Sequence, residues 1–104
     1  MPYTSEEIVF PTGSPAGRVA FIATAVLPHG DPLAGANLEL RIEGDGSFHP
    51  SQVLQEATLP ADMNGEVFLT WYPYPAPAEG RELRSTLSVA VDFAECLLVL
   101  QRQD

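Results

Sequence analysis

The chain has 104 residues and a formal net charge of −9, with five Lys and Arg against fourteen Asp and Glu. So few cations cannot neutralise a phosphate backbone, which argues against nucleic acid and anionic membrane surfaces and favours a basic or cationic partner. Hydrophobic residues make up 45 % and aromatics 9 %, a globular composition, and ten prolines with eight glycines argue against long helices.

Residues 1–7 have neither a basic n-region nor a long apolar run, so no secretory signal is visible. No segment approaches the roughly 20 apolar residues of a membrane span. Localisation stays open between cytoplasmic synthesis, a place in an assembled particle and trimming from a secreted protein. Residues 1–7 and 101–104 read as loose termini around a single domain.

Ile8, Val9 and Phe10 form a short apolar run closed by Pro11. That suits an edge strand, where a missing N–H does no harm and a partner strand can add. Residues 18–27 are the longest apolar stretch, with Val19, Phe21, Ala23 and Ala25 on one face and Ala20, Ile22, Thr24 and Val26 on the other. Two mainly apolar faces predict a central strand, or one whose outer side is covered by a partner. Gly30-Asp31-Pro32-Leu33-Ala34-Gly35 is turn chemistry. It feeds an unbroken alternation, with Leu38, Leu40 and Ile42 inward and Asn37, Glu39 and Arg41 outward.

Residues 44–51 are polar and glycine-rich apart from Phe48 and read as an exposed loop. A weaker strand follows over residues 53–59. Asn64-Gly65 then marks a tight hairpin turn. In the next strand Val67, Leu69 and Trp71 share a side, and Trp71 is expected to anchor the core. The X-Pro steps of residues 73–80 require an extended path, read as a stiff crossover ahead of a proline-rich ligand. Residues 83–93 predict a strand with Leu87, Val89, Val91 and Phe93 inward, and residues 96–100 a closing strand. The single cysteine, Cys96, has no internal partner; a packed structural thiol is favoured over an intermolecular bridge or a reactive thiol. Short strands separated by turns predict an all-β, immunoglobulin-like antiparallel β-sandwich of about seven to eight strands.

Chemistry-bearing residues are sparse. Asp62-Met63-Asn64-Gly65-Glu66 begins like a calcium loop but lacks the full spacing and the terminal bidentate glutamate, so a hairpin turn is favoured. Asp31, Asp45 and Asp62 are weak calcium candidates, which would have to converge at one end of the sandwich. Zinc would need His29 and His49 to meet with a carboxylate. Ser47, His49 and Asp45 lie too close in sequence for the usual triad geometry, and no nucleophile elbow is present. Trp71-Tyr72-Pro73-Tyr74-Pro75 offers a possible stacking platform for sugars or a protein partner. The favoured reading is that Trp71 is buried and the tyrosines cover a sheet edge. The expectation is no enzyme and no cofactor. Candidate partner-binding positions are Ile8, Val9, Phe10, Tyr72, Tyr74 and Pro75.

Three segments together, residues 30–38, Asp62-Met63-Asn64-Gly65-Glu66-Val67 and Ser85-Thr86-Leu87-Ser88-Val89-Ala90-Val91, resemble the bacterial immunoglobulin-like domains of the invasin and intimin type. The likeness spans roughly residues 18–92. It implies a non-enzymatic sandwich used as a spacer, an adhesin stalk, or a decoration of a cell surface or phage particle. Residues 73–79 and the strand after Phe93 lie outside the pattern, and a lone copy resembles a component of a phage-like assembly. The partner expected is therefore a protein or a second copy, with a small carbohydrate- or calcium-binding module as the alternative.

Overall fold

Wherever apolar and polar side chains alternate, the backbone is extended and hydrogen-bonded sideways. The computed structural model describes residues 2–13, 15–74, 81–93 and 95–103, and no helix occurs among them. The strands are β1 (Tyr3–Phe10), β2 (Val19–Val26), β3 (Asn37–Gly44), β4 (Glu56–Pro60), β5 (Glu66–Trp71), β6 (Leu83–Val91) and β7 (Leu97–Gln103). They form two sheets, ordered β1-β6-β3-β4 and β5-β2-β7. Every pairing is antiparallel. Packed together, the sheets make an all-β, immunoglobulin-like sandwich.

The alternating positions supply the core. Leu38, Leu40 and Ile42 of β3 face Val19, Phe21, Ala23 and Ala25 of β2, and all are buried. Each of these leucine, isoleucine, valine and phenylalanine side chains contributes roughly 1.5–3 kcal/mol relative to exposure, and the two alanines less. β2 is the central strand of its sheet, as its two apolar faces predict. Trp71 is wholly buried at the end of β5. Its ring stacks on Phe10 with centroids 5.7 Å apart and planes at 17°. The indole N–H donates to Ser85 Oγ (3.1 Å) and to the Asp45 carbonyl (3.2 Å), so its one polar atom is satisfied inside the core.

The terminal strands differ from the constant-type immunoglobulin order, in which the first strand joins the second and the last joins the sixth. Here β1 pairs with β6, and β7 pairs with β2. The two terminal strands therefore face each other across one side of the sandwich. Arg102 of β7 closes that side: its Nε lies 3.2 Å from Glu6 Oε1, and its terminal NH2 donates to the Glu7 carbonyl at 3.3 Å.

Several boundaries move from their sequence expectation. β1 starts at Tyr3, and β7 continues through Gln103, so residues 3–7 and 101–103 are strand rather than loose ends. β6 stops at Val91, which leaves Phe93 44 % exposed instead of inward. β4 begins only at Glu56, and Val53 and Leu54 are exposed ahead of it. The glycine-rich segment after β3 is not an exposed loop: Gly46 and Ser47 are buried against Trp71 and the following turn.

Candidate interaction surface

The strand directions distribute the candidate residues. Loops after β2 and β4 lie at one end of the sandwich, as Asn37 pairs with Pro60 and Val26 bridges Pro32. The loop after β3 lies at the other end, eight residues away or about 26 Å at the usual strand rise. Asp31 and Asp62 therefore sit at one end and Asp45 at the other, and the three aspartates do not converge. His29 and His49 are separated in the same way. Among the described residues no three His, Cys, Asp or Glu side chains gather as a metal site would need.

Each of these groups has a local partner instead. Asp31 Oδ2 lies 3.0 Å from His29 Nε2. Asp62 Oδ1 accepts the N–H groups of Asn64 (2.8 Å) and Glu66 (2.9 Å), which makes it the organiser of the β4–β5 turn. Asp45 takes the Arg81 guanidinium through both oxygens, at 3.1 and 3.2 Å, and the Arg84 N–H at 3.0 Å. Partial burial pushes the Asp45 carboxyl upward, but the Arg81 hydrogen bond, the Arg84 N–H and the Arg81 charge together hold it below its ordinary value. Ser47 is a buried hub: its Oγ accepts the His49 N–H (3.1 Å) and Leu54 N–H (2.9 Å) and donates to the Gln52 carbonyl. His49 Nδ1 accepts the Ser51 N–H at 3.1 Å. Ser47, His49 and Asp45 thus serve the backbone and one ion pair, with no side-chain link among the three. Cys96 lies just ahead of β7, half-buried against the core, and burial pushes its thiol upward.

The partner-binding positions also divide. β1 is an edge strand, yet Ile8 is buried and Phe10 is held by the Trp71 stack, which leaves Val9, 36 % exposed, as the outward apolar side chain of that run. Tyr72 and Tyr74 are half-buried, and their backbones bind the loop after β3. Tyr72 exchanges bonds with Ser47 at 2.8 and 3.0 Å, and Gly46 N–H donates to the Tyr74 carbonyl at 2.7 Å. Pro75 and the rest of the 75–80 crossover lie outside the described residues.

The two outer faces are chemically unlike. On β1-β6-β3-β4 the outward positions include Glu7, Glu39, Arg41, Glu43, Glu56 and Arg84. They pair with one another, Arg84 with Glu7 at 3.2 Å and Arg41 with Glu43 at 3.7 Å. On β5-β2-β7 the outward positions are Ala20, Ile22, Thr24 and Val26, flanked by Glu66, Phe68 and Thr70 on one side and by Leu97, Val99, Gln101 and Gln103 on the other. Phe68 is 64 %, Leu97 60 % and Val99 46 % exposed. Glu66 is the only charged residue among the outward positions of these three strands. The apolar surface continues round the free edge of β5 into an open groove of ≈ 570 Å³, where Phe48, Leu54, Ala57 and Leu59 come up from beneath.

No protein-family model, curated protein or solved structure matches the chain. The surface therefore has to be read from its own chemistry. The doubly apolar β2 announces this face in the sequence. Leu59 does not announce itself, because its exposure depends on β4 and β5 belonging to different sheets. Among the described residues no helix is long and apolar enough to cross a membrane.

Proposed function

We propose that the chain is a non-catalytic structural or protein-interaction module, a subunit or decoration of a larger assembly. One observation carries this reading: a nearly uncharged sheet face, with Phe68, Leu97 and Val99 exposed among neutral side chains, on a chain of net charge −9 whose opposite face is densely charged. Phe68, Leu97 and Val99 alone expose on the order of 300 Å², a patch size that on soluble proteins commonly marks an interaction site. Covering it would contribute several kcal/mol before the costs of association.

The resemblance to invasin- and intimin-type domains belongs to this proposal. The segments that carry it form turns of the required kind. Gly30 and Gly35 take positive φ (102° and 78°) ahead of β3, and Asp62 with Gly65 closes the β4–β5 turn. A spacer or decoration built on such a sandwich uses its faces and edges for contact.

Photo-crosslinking in the source cell tests the reading. A photoreactive residue at Phe68 or Val99 is expected to give adducts heavier than the monomer, and the same residue at Glu39 on the charged face is not. Equal labelling from both faces, or none from either, overturns it.

A further inference from the structure

The two edges of β5 are not equivalent. Ala25 N–H donates to the Gly65 carbonyl at 2.8 Å, which fixes the ladder: Val67, Leu69 and Trp71 turn their backbone groups toward β2. Glu66, Phe68, Thr70 and Tyr72 turn theirs away. Two of these four are satisfied within the chain. The Glu66 carbonyl accepts the Asp62 N–H at 2.9 Å, and Tyr72 bridges Ser47. Between them, the N–H and C=O groups of Phe68 and Thr70 have no partner among the described residues, since β5 is the edge of its sheet.

The ≈ 570 Å³ groove lies along this gap, and among the described residues none that lines it is charged. β4 stands on its far side but belongs to the other sheet, so among the described residues the β4–β5 side of the sandwich stays open, whereas Arg102 closes the β1–β7 side. One sheet has four strands and the other three. A further strand along β5 would satisfy the free backbone groups of Phe68 and Thr70. It would also turn alternate side chains onto Leu54, Ala57 and Leu59.

Charge selects the occupant. A charged side chain entering the groove would meet no counter-charge there, so the inward positions of the added strand are apolar. The surroundings are acidic, with Glu66 at one end of the gap on a chain of net charge −9; Glu56, at the start of β4, turns instead to the outer face beside Arg41. A second copy brings another −9 and is repelled. The geometry points to the free edge of β5 as the acceptor for an extended strand from a different protein, apolar at alternate positions and carrying Lys or Arg at its ends. This rests on the interaction-module reading and names the partner's chemistry.

Amide exchange of the ¹⁵N-labelled chain with capped synthetic peptides tests it. The probe is Lys-Val-Thr-Val-Thr-Val-Lys; the comparisons place the valines in one block or exchange the terminal lysines for glutamates. The alternating peptide is expected to slow exchange at Phe68 and Thr70 by about tenfold or more at millimolar concentration. The blocked peptide gives no such protection, and the Glu-ended one binds several-fold more weakly at low salt. Ala57→Phe, which fills the groove, and Thr70→Pro, which removes one edge donor, each abolish the protection, with folding checked through Trp71 emission. Absent protection, or equal protection by the blocked peptide, overturns the strand-acceptor proposal. Crosslinks from Phe68 or Val99 would then still uphold the module reading, and their absence would remove that reading independently.

Discussion

Gly46 and Gly30 offer a matched pair of substitutions that isolates what Trp71 contributes. Both glycines hold left-handed backbone, with φ of 108° and 102°. Alanine at either position meets a similar conformational cost of about 1–3 kcal/mol. Around Gly30 an added Cβ meets nothing within 4 Å, whereas at Gly46 it overlaps the indole of Trp71, with Nε1 and Cε2 nearest. The indole must then shift and lose its two hydrogen bonds, worth about 1 kcal/mol each, and its stack on Phe10, worth about 0.5–1.5 kcal/mol. Gly46→Ala is therefore expected to cost about 3 kcal/mol more than Gly30→Ala, a large share of the 5–15 kcal/mol typical of a domain. Urea unfolding followed by far-UV circular dichroism measures the difference. Trp71, the only tryptophan, should red-shift its emission in Gly46→Ala alone. Equal costs for the two variants with unshifted emission would refute the account of the core.

Further outcomes follow from the same contacts. Ser47→Ala leaves the His49 and Leu54 N–H groups without their acceptor and should cost about 2–3 kcal/mol, with faster amide exchange at Leu54. Asp45 has a lowered pKa in the folded chain, so its contribution is present above the ordinary carboxylate range and is lost as pH falls through the folded value. The stability gap between the wild type and Asp45→Asn, about 1 kcal/mol near neutrality for a partly exposed pair, should close in acid; a gap that is constant with pH contradicts the assignment. Cys96, half-buried with its thiol pushed up, should react with a thiol reagent at pH 8 about tenfold more slowly than in the urea-unfolded chain.

The sequence expressed the fold where the pattern was local. Leu38, Leu40 and Ile42 alternate without interruption, and β3 lies where they place it. Asn64-Gly65 does lie in a tight turn, held by Asp62, but the turn carries the chain from one sheet to the other, so β4 and β5 do not pair and the expected hairpin does not form. The sequence shows only the end of β1, because Ile8 is its only fully buried side chain and the polar positions before it carry little periodic signal. Phe93 looked inward because its parity matches Val91, but β6 ends before it. The burial of Gly46 and Ser47 depends on Trp71, far along the chain, and no window around the loop contains that information. The exchange of the terminal strands between sheets is likewise non-local. So is the open β4–β5 side, which exists only because consecutive strands joined different sheets. The aspartates and histidines were legible as residue types, but strand direction carries them to opposite ends.

The free edge of β5 is the structural basis of the proposed docking side, and residue-resolved hydrogen exchange of the chain alone probes it most directly. Val67, Leu69 and Trp71 should exchange slowly, with their N–H groups bonded to β2, and Phe68 and Thr70 should exchange rapidly between them. Slow exchange at Phe68 and Thr70 in the free monomer would mean that the edge is already occupied, and the open side on which the interaction surface rests would not exist.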